Sequence, residues 1–174
     1  MKIVIASDIH GSAIHAKKLR EVVEREQPEK LVLLGDLLYH GARNDLPRGY
    51  NVKEVYDTLN SMKDIIIAIR GNCDSEVDQM VLKFPMMDDY KTLEVDGITW
   101  YLTHGHVNGL LPQIGDNDIL FNGHYHVYQL TRNHINPGSI GIPKENPEHT
   151  YIIYENGVFS LYDLNGDKIE ELII

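Results

Sequence analysis

Three short, nearly continuous apolar runs, at residues 1–6, 31–34 and 65–69, punctuate the first part of the chain. Apolar stretches of this length without polar alternation are the pattern of strands buried on both faces. Between them the period changes. Ala16, Leu19, Val22 and Val23 recur at three- and four-residue steps behind Ser12, a residue type that caps helices, and Val52, Val55, Tyr56, Leu59 and Met62 line one face behind Asn51. Strand, helix, strand, helix, strand is the order of parallel strands with right-handed helical crossovers, whose loops beyond the strands gather at one edge of the sheet. From residue 90 onward the pattern is mostly strands. Runs rich in Ile, Tyr, Val and Leu are separated by the turn pairs Asp96-Gly97, Asn156-Gly157 and Asn165-Gly166. No linker, repeat or low-complexity stretch divides the two halves. The expected architecture is α/β, a single domain over residues 1–174 built as a four-layer αββα sandwich of two mixed β-sheets flanked by helices.

Composition narrows the function. With 174 residues, 43% of them hydrophobic, the chain can bury one continuous core. No stretch fits a signal peptide or a membrane span, and the single cysteine, Cys73, cannot form an internal disulfide, so a cytoplasmic protein is expected. A formal net charge of -10 without clustered Lys and Arg argues against long nucleic acid as a partner. Small anionic substrates stay open if metal ions supply the positive charge.

The candidate chemistry lies just beyond the strands. Asp8 and His10 follow the first apolar run, Asp36 the second and Asn72 the third. His104 follows a strand expected at 98–103, and His124 and His126 follow another at 118–121. Five strand ends thus finish in oxygen or imidazole groups. Neutral imidazole suits Zn, Fe and Mn, carboxylate suits harder ions, and one carboxylate between two cations can bridge them. Each element alone has a bland reading: Asp8 and Asp36 as turn aspartates, Asn72 beside Gly71 as a plain turn, the histidines as satisfied by backbone. Their convergence on one edge favours a metal centre.

Asp8-Ile9-His10, Gly35-Asp36, Gly71-Asn72-Cys73-Asp74, Thr103-His104-Gly105-His106 and Gly123-His124-Tyr125-His126 resemble the ordered motif set of the calcineurin-like metallophosphoesterases. The stretches at 34–36, 40–44 and 70–80 are similar to small bacterial phosphodiesterases of that superfamily. The resemblance implies a metallo-dependent phosphatase-like fold with two divalent metal ions. Asp8, His10 and His126 would hold one ion, Asn72, His104 and His124 the other, and Asp36 would bridge them. It also implies hydrolysis of small phosphodiesters by in-line attack of a metal-bridging hydroxide. Mn²⁺ is the expected metal, with Zn²⁺, Fe²⁺, Ni²⁺ and Mg²⁺ as alternatives.

Asn72, His104, Cys73 and Arg43 are the expected catalytic residues, Arg43 as a clamp on phosphate oxygens from its motif position. Cys73 and Arg43 also have structural readings, as a small buried residue and an ordinary loop residue. Cys73 stands where phosphomonoesterases of the superfamily commonly carry a histidine, and an ordinary thiol is a weaker proton donor to an alkoxide near neutral pH. His40 or His106 could take that role, and His106 reads equally well as structural. Two rival readings remain: a phosphomonoesterase or nucleotidase with the same metals, and an interaction scaffold like a retromer subunit that shares the fold. Strand edges left open by a split sheet leave room for a homo-oligomer.

Overall fold

The computed structural model describes residues 1–111 and 113–174. The first apolar run forms β1 (Lys2–Ala6), followed by α1 (Ala13–Glu26), β2 (Lys30–Leu33), α2 (Val52–Asn60) and β3 (Ile66–Ala68). β1 pairs in parallel with β2, and β2 with β3, so the loops that leave these three strands emerge at one sheet edge. Next come α3 (Glu76–Val81), β4 (Tyr90–Val95), β5 (Ile98–Thr103), β6 (Ile119–Phe121), β7 (Tyr128–Thr131) and β8 (His134–Pro137). The chain ends in β9 (Thr150–Glu155), β10 (Val158–Asp163) and β11 (Lys168–Ile173).

The strands form two mixed sheets, of six in the order β11-β10-β9-β1-β2-β3 and of five in the order β4-β5-β6-β8-β7. The C-terminal meander completes the first sheet by laying β9 antiparallel against β1, with Ile3 opposite Tyr154. Alternation along the strands divides the core in two. Val4, Ala6, Leu31 and Leu33 face α1 and α2, where they meet Ala16, Leu19, Val55 and Leu59. Ile3, Ile5, Val32 and Leu34 face the second sheet and pack with Trp100, Phe121, Ile135 and Phe159. Trp100 centres this inter-sheet layer, tilted on Phe121 at 4.6 Å and edge-on to Tyr154 at 4.9 Å. The α/β architecture of two mixed sheets with flanking helices is therefore present, with α1 and α2 packed on the six-stranded sheet.

Turn chemistry accounts for the hairpins. Asp96-Gly97 and Asn156-Gly157 each place both central residues at positive φ, the two-residue turn whose twist matches paired strands. The Asn165-Gly166 hairpin is longer, and a register shift between Leu161 and Tyr162 accommodates it. One capping expectation needs correction. Asn51 accepts from the Glu54 amide at 3.2 Å, as a cap should. The Ser12 hydroxyl does not cap α1: it donates to the Arg48 carbonyl at 3.0 Å and meets His15 Nδ1 at 2.7 Å, so it ties α1 to the loop before α2.

Candidate metal centre

Positive φ at non-glycine residues is costly, about 1–3 kcal/mol each where the structure imposes it. Nine non-glycine residues among those described adopt it, and five of them are Asp8, His10, Asp36, His124 and His126. Backbone hydrogen bonds hold the strained loops together. The Asp8 amide donates to the Gly35 carbonyl at 3.1 Å and the His10 amide to the Asp36 carbonyl at 2.9 Å. The Gly141 amide and the Ser139 hydroxyl donate to the Asp8 carbonyl at 2.9 and 2.8 Å. Gly71 is required for its lack of a side chain, because a Cβ there would run into the Asp36 amide and carboxylate.

These loops bring together all seven residues proposed from sequence as metal ligands. Asp8 Oδ1 lies 3.2 Å from His126 Nε2 and 3.5 Å from His10 Nε2. Asp36 Oδ2 lies 3.5 Å from His10 Nε2 and 3.3 Å from His104 Nε2, so it stands between the two halves of the cluster. Asn72 Oδ1 is 3.1 Å from His104 Nε2 and 2.8 Å from His124 Nδ1. Asp8, His10, Asp36, His104 and His126 are all buried.

The hydrogen bonds on the outer side of the imidazoles decide what faces inward. His10 Nδ1 donates to the Tyr39 carbonyl at 2.8 Å, His104 Nδ1 to the Leu34 carbonyl at 2.6 Å, and His126 Nδ1 to the Ile142 carbonyl at 2.5 Å. In the neutral ring each Nε2 then presents a lone pair to the centre. His10 and His126 thus aim two acceptor nitrogens at each other across 3.2 Å, beside Asp8 Oδ1, a buried oxygen with no hydrogen-bond partner. Acceptors packed against acceptors repel unless a cation lies among them, and a donor set of carboxylate, amide oxygen and imidazole suits divalent transition ions. The residues fit a metal centre.

The electrostatics show the same demand for positive charge. Burial opposes ionisation of Asp8, but His10, His126 and His104 together hold its carboxyl well below the usual range. Burial works against a charged His104, yet Asp36 and Asp8 raise it to about 9. In the metal-free protein a proton held there supplies part of the charge that a cation would supply. His124 moves the other way, lowered by burial and by His104.

Above the centre lies a cleft of about 760 Å³, whose walls include Arg43, Asn72, Cys73, His124 and Lys144. Arg43 is exposed on the loop between β2 and α2, and Cys73 is half-buried. Burial and then the Asp36 charge push the Cys73 thiol up to about 12. Of the two alternative proton donors, His106 packs edge-on to His104 at 5.4 Å and is lowered by burial. His40 lies against Tyr39 and Tyr50, with its Nδ1 buried and unpartnered. Neither lines the cleft.

Asp74 carries a role that the sequence motif did not reveal. Its buried carboxylate accepts from the Asp36 amide at 2.8 Å, the Leu37 amide at 2.9 Å and the Gly71 amide at 2.7 Å, locking two ligand loops together. Burial and then Asp36 push it up to about 6, against the pull of those amides. The aspartate after Asn-Cys in that motif was the available signal. Ser7 was likewise missed: its hydroxyl donates to Asp8 Oδ2 at 2.6 Å, and the His124 amide donates to the same oxygen at 3.0 Å.

A family model described as the calcineurin-like phosphoesterase superfamily domain matches residues 1–157. The chain belongs to that superfamily. It is 41% identical to the phosphodiesterase YfcE of Escherichia coli over 97% of this chain and 95% of that one. A solved structure of YfcE, described as a phosphoesterase, superposes with a TM-score of 0.93 at 40% identity, covering 100% of both chains. A Vps29 from Entamoeba histolytica, at 19% identity and a TM-score of 0.66 over 100% of this chain and 99% of that one, shares the fold. Membership of the superfamily and the clustered His and Asp groups both point to divalent metal binding. No helix among the described residues is long and apolar enough to cross a membrane.

Proposed function

We propose that this chain is a cytoplasmic enzyme that hydrolyses small phosphodiesters at two divalent cations, Mn²⁺ first among them. The observation that supports it most is the facing pair of imidazole nitrogens beside the unpartnered Asp8 Oδ1, in a chain so similar to a phosphodiesterase. Asp8, His10 and His126 would hold one cation, Asn72, His104 and His124 the other, with Asp36 between them. Bound there, the cations would supply Lewis-acid charge for the phosphoryl oxygens and would activate a water near neutral pH.

The chain's own groups do the rest. The backbone carbonyls of Tyr39, Leu34 and Ile142 fix the imidazole tautomers, so no rearrangement is needed as charge develops. Arg43 reaches the cleft from its loop and would clamp non-bridging oxygens in bidentate fashion. A thiol at Cys73 is a weaker match than an imidazole to the role of proton donor at neutral pH. That handicap weighs most on monoesters, whose loose transition state piles charge on the leaving oxygen. The phosphomonoesterase reading is therefore disfavoured. The scaffold reading is disfavoured by the meeting of the seven candidate ligands in one cluster.

Metal-stripped protein reloaded with Mn²⁺ and assayed on bis(para-nitrophenyl) phosphate beside para-nitrophenyl phosphate tests this. Faster diester hydrolysis is expected. Equal or faster monoester hydrolysis would favour the nucleotidase, and inactivity on both with metal bound would favour the scaffold. On alkyl esters, whose alkoxide leaving group needs a proton, Cys73→His should raise the monoester-to-diester ratio of kcat/KM by about tenfold or more, the lower end of what a positioned general acid supplies. An unchanged ratio would remove Cys73 from the account of leaving-group choice.

A further inference from the structure

Two large aromatic rings stand open in the cleft. Tyr39 is 42% and Tyr125 58% exposed, and both line it, whereas Tyr151 and Tyr154 are buried in the strands. Single exposed apolar residues need no explanation, but two in one polar cleft over a metal centre do.

Each ring is mounted on a ligand loop. The Tyr39 carbonyl accepts from His10 Nδ1 at 2.8 Å, and its ring meets the edge of His40 with centroids 4.7 Å apart. Tyr125 sits between His124 and His126, its amide donates to the Gly123 carbonyl at 2.8 Å, and its ring meets His124 at 5.3 Å and 72°. Such edge contacts steady the rings and leave aromatic surface free. Beyond His126, the Lys144 amide donates to the His126 carbonyl at 3.1 Å, and the Lys144 side chain joins Arg43 on the cleft walls. In a chain of net charge -10, one cleft therefore offers aromatic faces and two cations above the metal centre.

Aromatic faces recognise planar π-systems, and positive charge recognises a phosphate attached to them. Building on the phosphodiesterase reading, we propose that Tyr39 and Tyr125 are specificity-determining residues. They favour phosphodiesters with a planar aromatic arm, a nucleoside or a simple aryl group, over aliphatic diesters. Tyrosine suits this task because its ring is rigid, with two side-chain torsions to fix.

The test uses three diesters with one leaving group, para-nitrophenolate, and a second arm that is methyl, phenyl or thymidine. Mn²⁺-loaded wild type should prefer an aromatic arm to methyl by about tenfold or more in kcat/KM, the scale of one stacked ring. In Tyr39→Leu/Tyr125→Leu that ratio should fall to near one, and in Tyr39→Phe/Tyr125→Phe it should persist. A tyrosine-dependent preference for the thymidine arm assigns nucleosides, and one confined to the phenyl arm assigns simple aryl esters. The inference is overturned by a wild type without preference, by a double-leucine variant that keeps it, or by a double-phenylalanine variant that loses it. Methyl-arm hydrolysis by the wild type reports on the diesterase reading separately. Hydrolysis of none of the three would defeat that reading and this inference with it.

Discussion

Replacing Asp36 with alanine is expected to empty the centre of both cations and lower kcat/KM on an aryl phosphodiester by at least about a thousandfold. The expectation follows from position. Asp36 Oδ2 stands 3.5 Å from His10 Nε2 and 3.3 Å from His104 Nε2, so its charge serves both halves of the cluster. Its other oxygen accepts from the Cys73 amide at 2.8 Å and orients the loop that carries Asn72. Without it, two sets of neutral imidazoles and one carboxylate, Asp8, would face a total charge of about four positive units in a buried site. Asp36→Asn keeps the shape and lacks the charge, so it separates electrostatics from packing and should also lose metal. Metal per chain, measured by mass spectrometry after gel filtration, reads the result. Retention of one full equivalent by Asp36→Ala would show that Asp36 serves a single ion.

Asp74→Ala should cost about 3–5 kcal/mol of stability, because three backbone amides are left without an acceptor and an unmet buried donor costs about 1–3 kcal/mol before relaxation. For a chain of this length, that corresponds to a fall in Tm on the order of 10 °C. Differential scanning calorimetry of the metal-free protein reads it directly, and a fall below about 2 °C would mean that water replaces the carboxylate at little cost. The pH dependence has a definite sign. Because the folded protein holds the Asp74 proton up to about 6, above the usual 3.8, the native state binds more protons than the unfolded state between those values. The contribution of Asp74 is therefore fully present below the unfolded pKa and declines as pH rises through about 6. Asp74→Asn should remove that decline from the difference curve.

Much of the scaffold was written in local pattern. The apolar runs that became β1 and β2 are buried on both faces, whereas β3, at the sheet edge, is only half-buried at Ile66 and Ile67, and the helical stripes of α1 and α2 point where their spacing says. The turn pairs marked three hairpins because positive φ, at Asp96, Gly97, Asn156, Gly157 and Gly166, selects Asp, Asn and Gly. The site was legible because its ligands cluster at strand ends, a one-dimensional trace of a three-dimensional edge. Other features leave no such trace. The short helix α3 has too few residues to show a period. The placing of β9 against β1 is a pairing across most of the chain, which no window of sequence contains. Ser12 looked like a cap because its residue type favours that position, and tertiary partners took its hydroxyl instead.

The positioning role of Asp74 depends on three amides from two loops, and amides have no sequence identity. The inward aim of the histidines depends on carbonyls for the same reason. Tyr39 and Tyr125 differ from the other tyrosines in standing exposed in the cleft, which the fold decides.

The most direct measurement is anomalous X-ray scattering at the manganese edge from crystals of the Mn²⁺-loaded protein. Two peaks about 3.5–4 Å apart are predicted, flanking the Asp36 carboxylate. One should touch Asp8, His10 and His126 and the other Asn72, His104 and His124. A single peak, or density away from Asp36, would contradict the account.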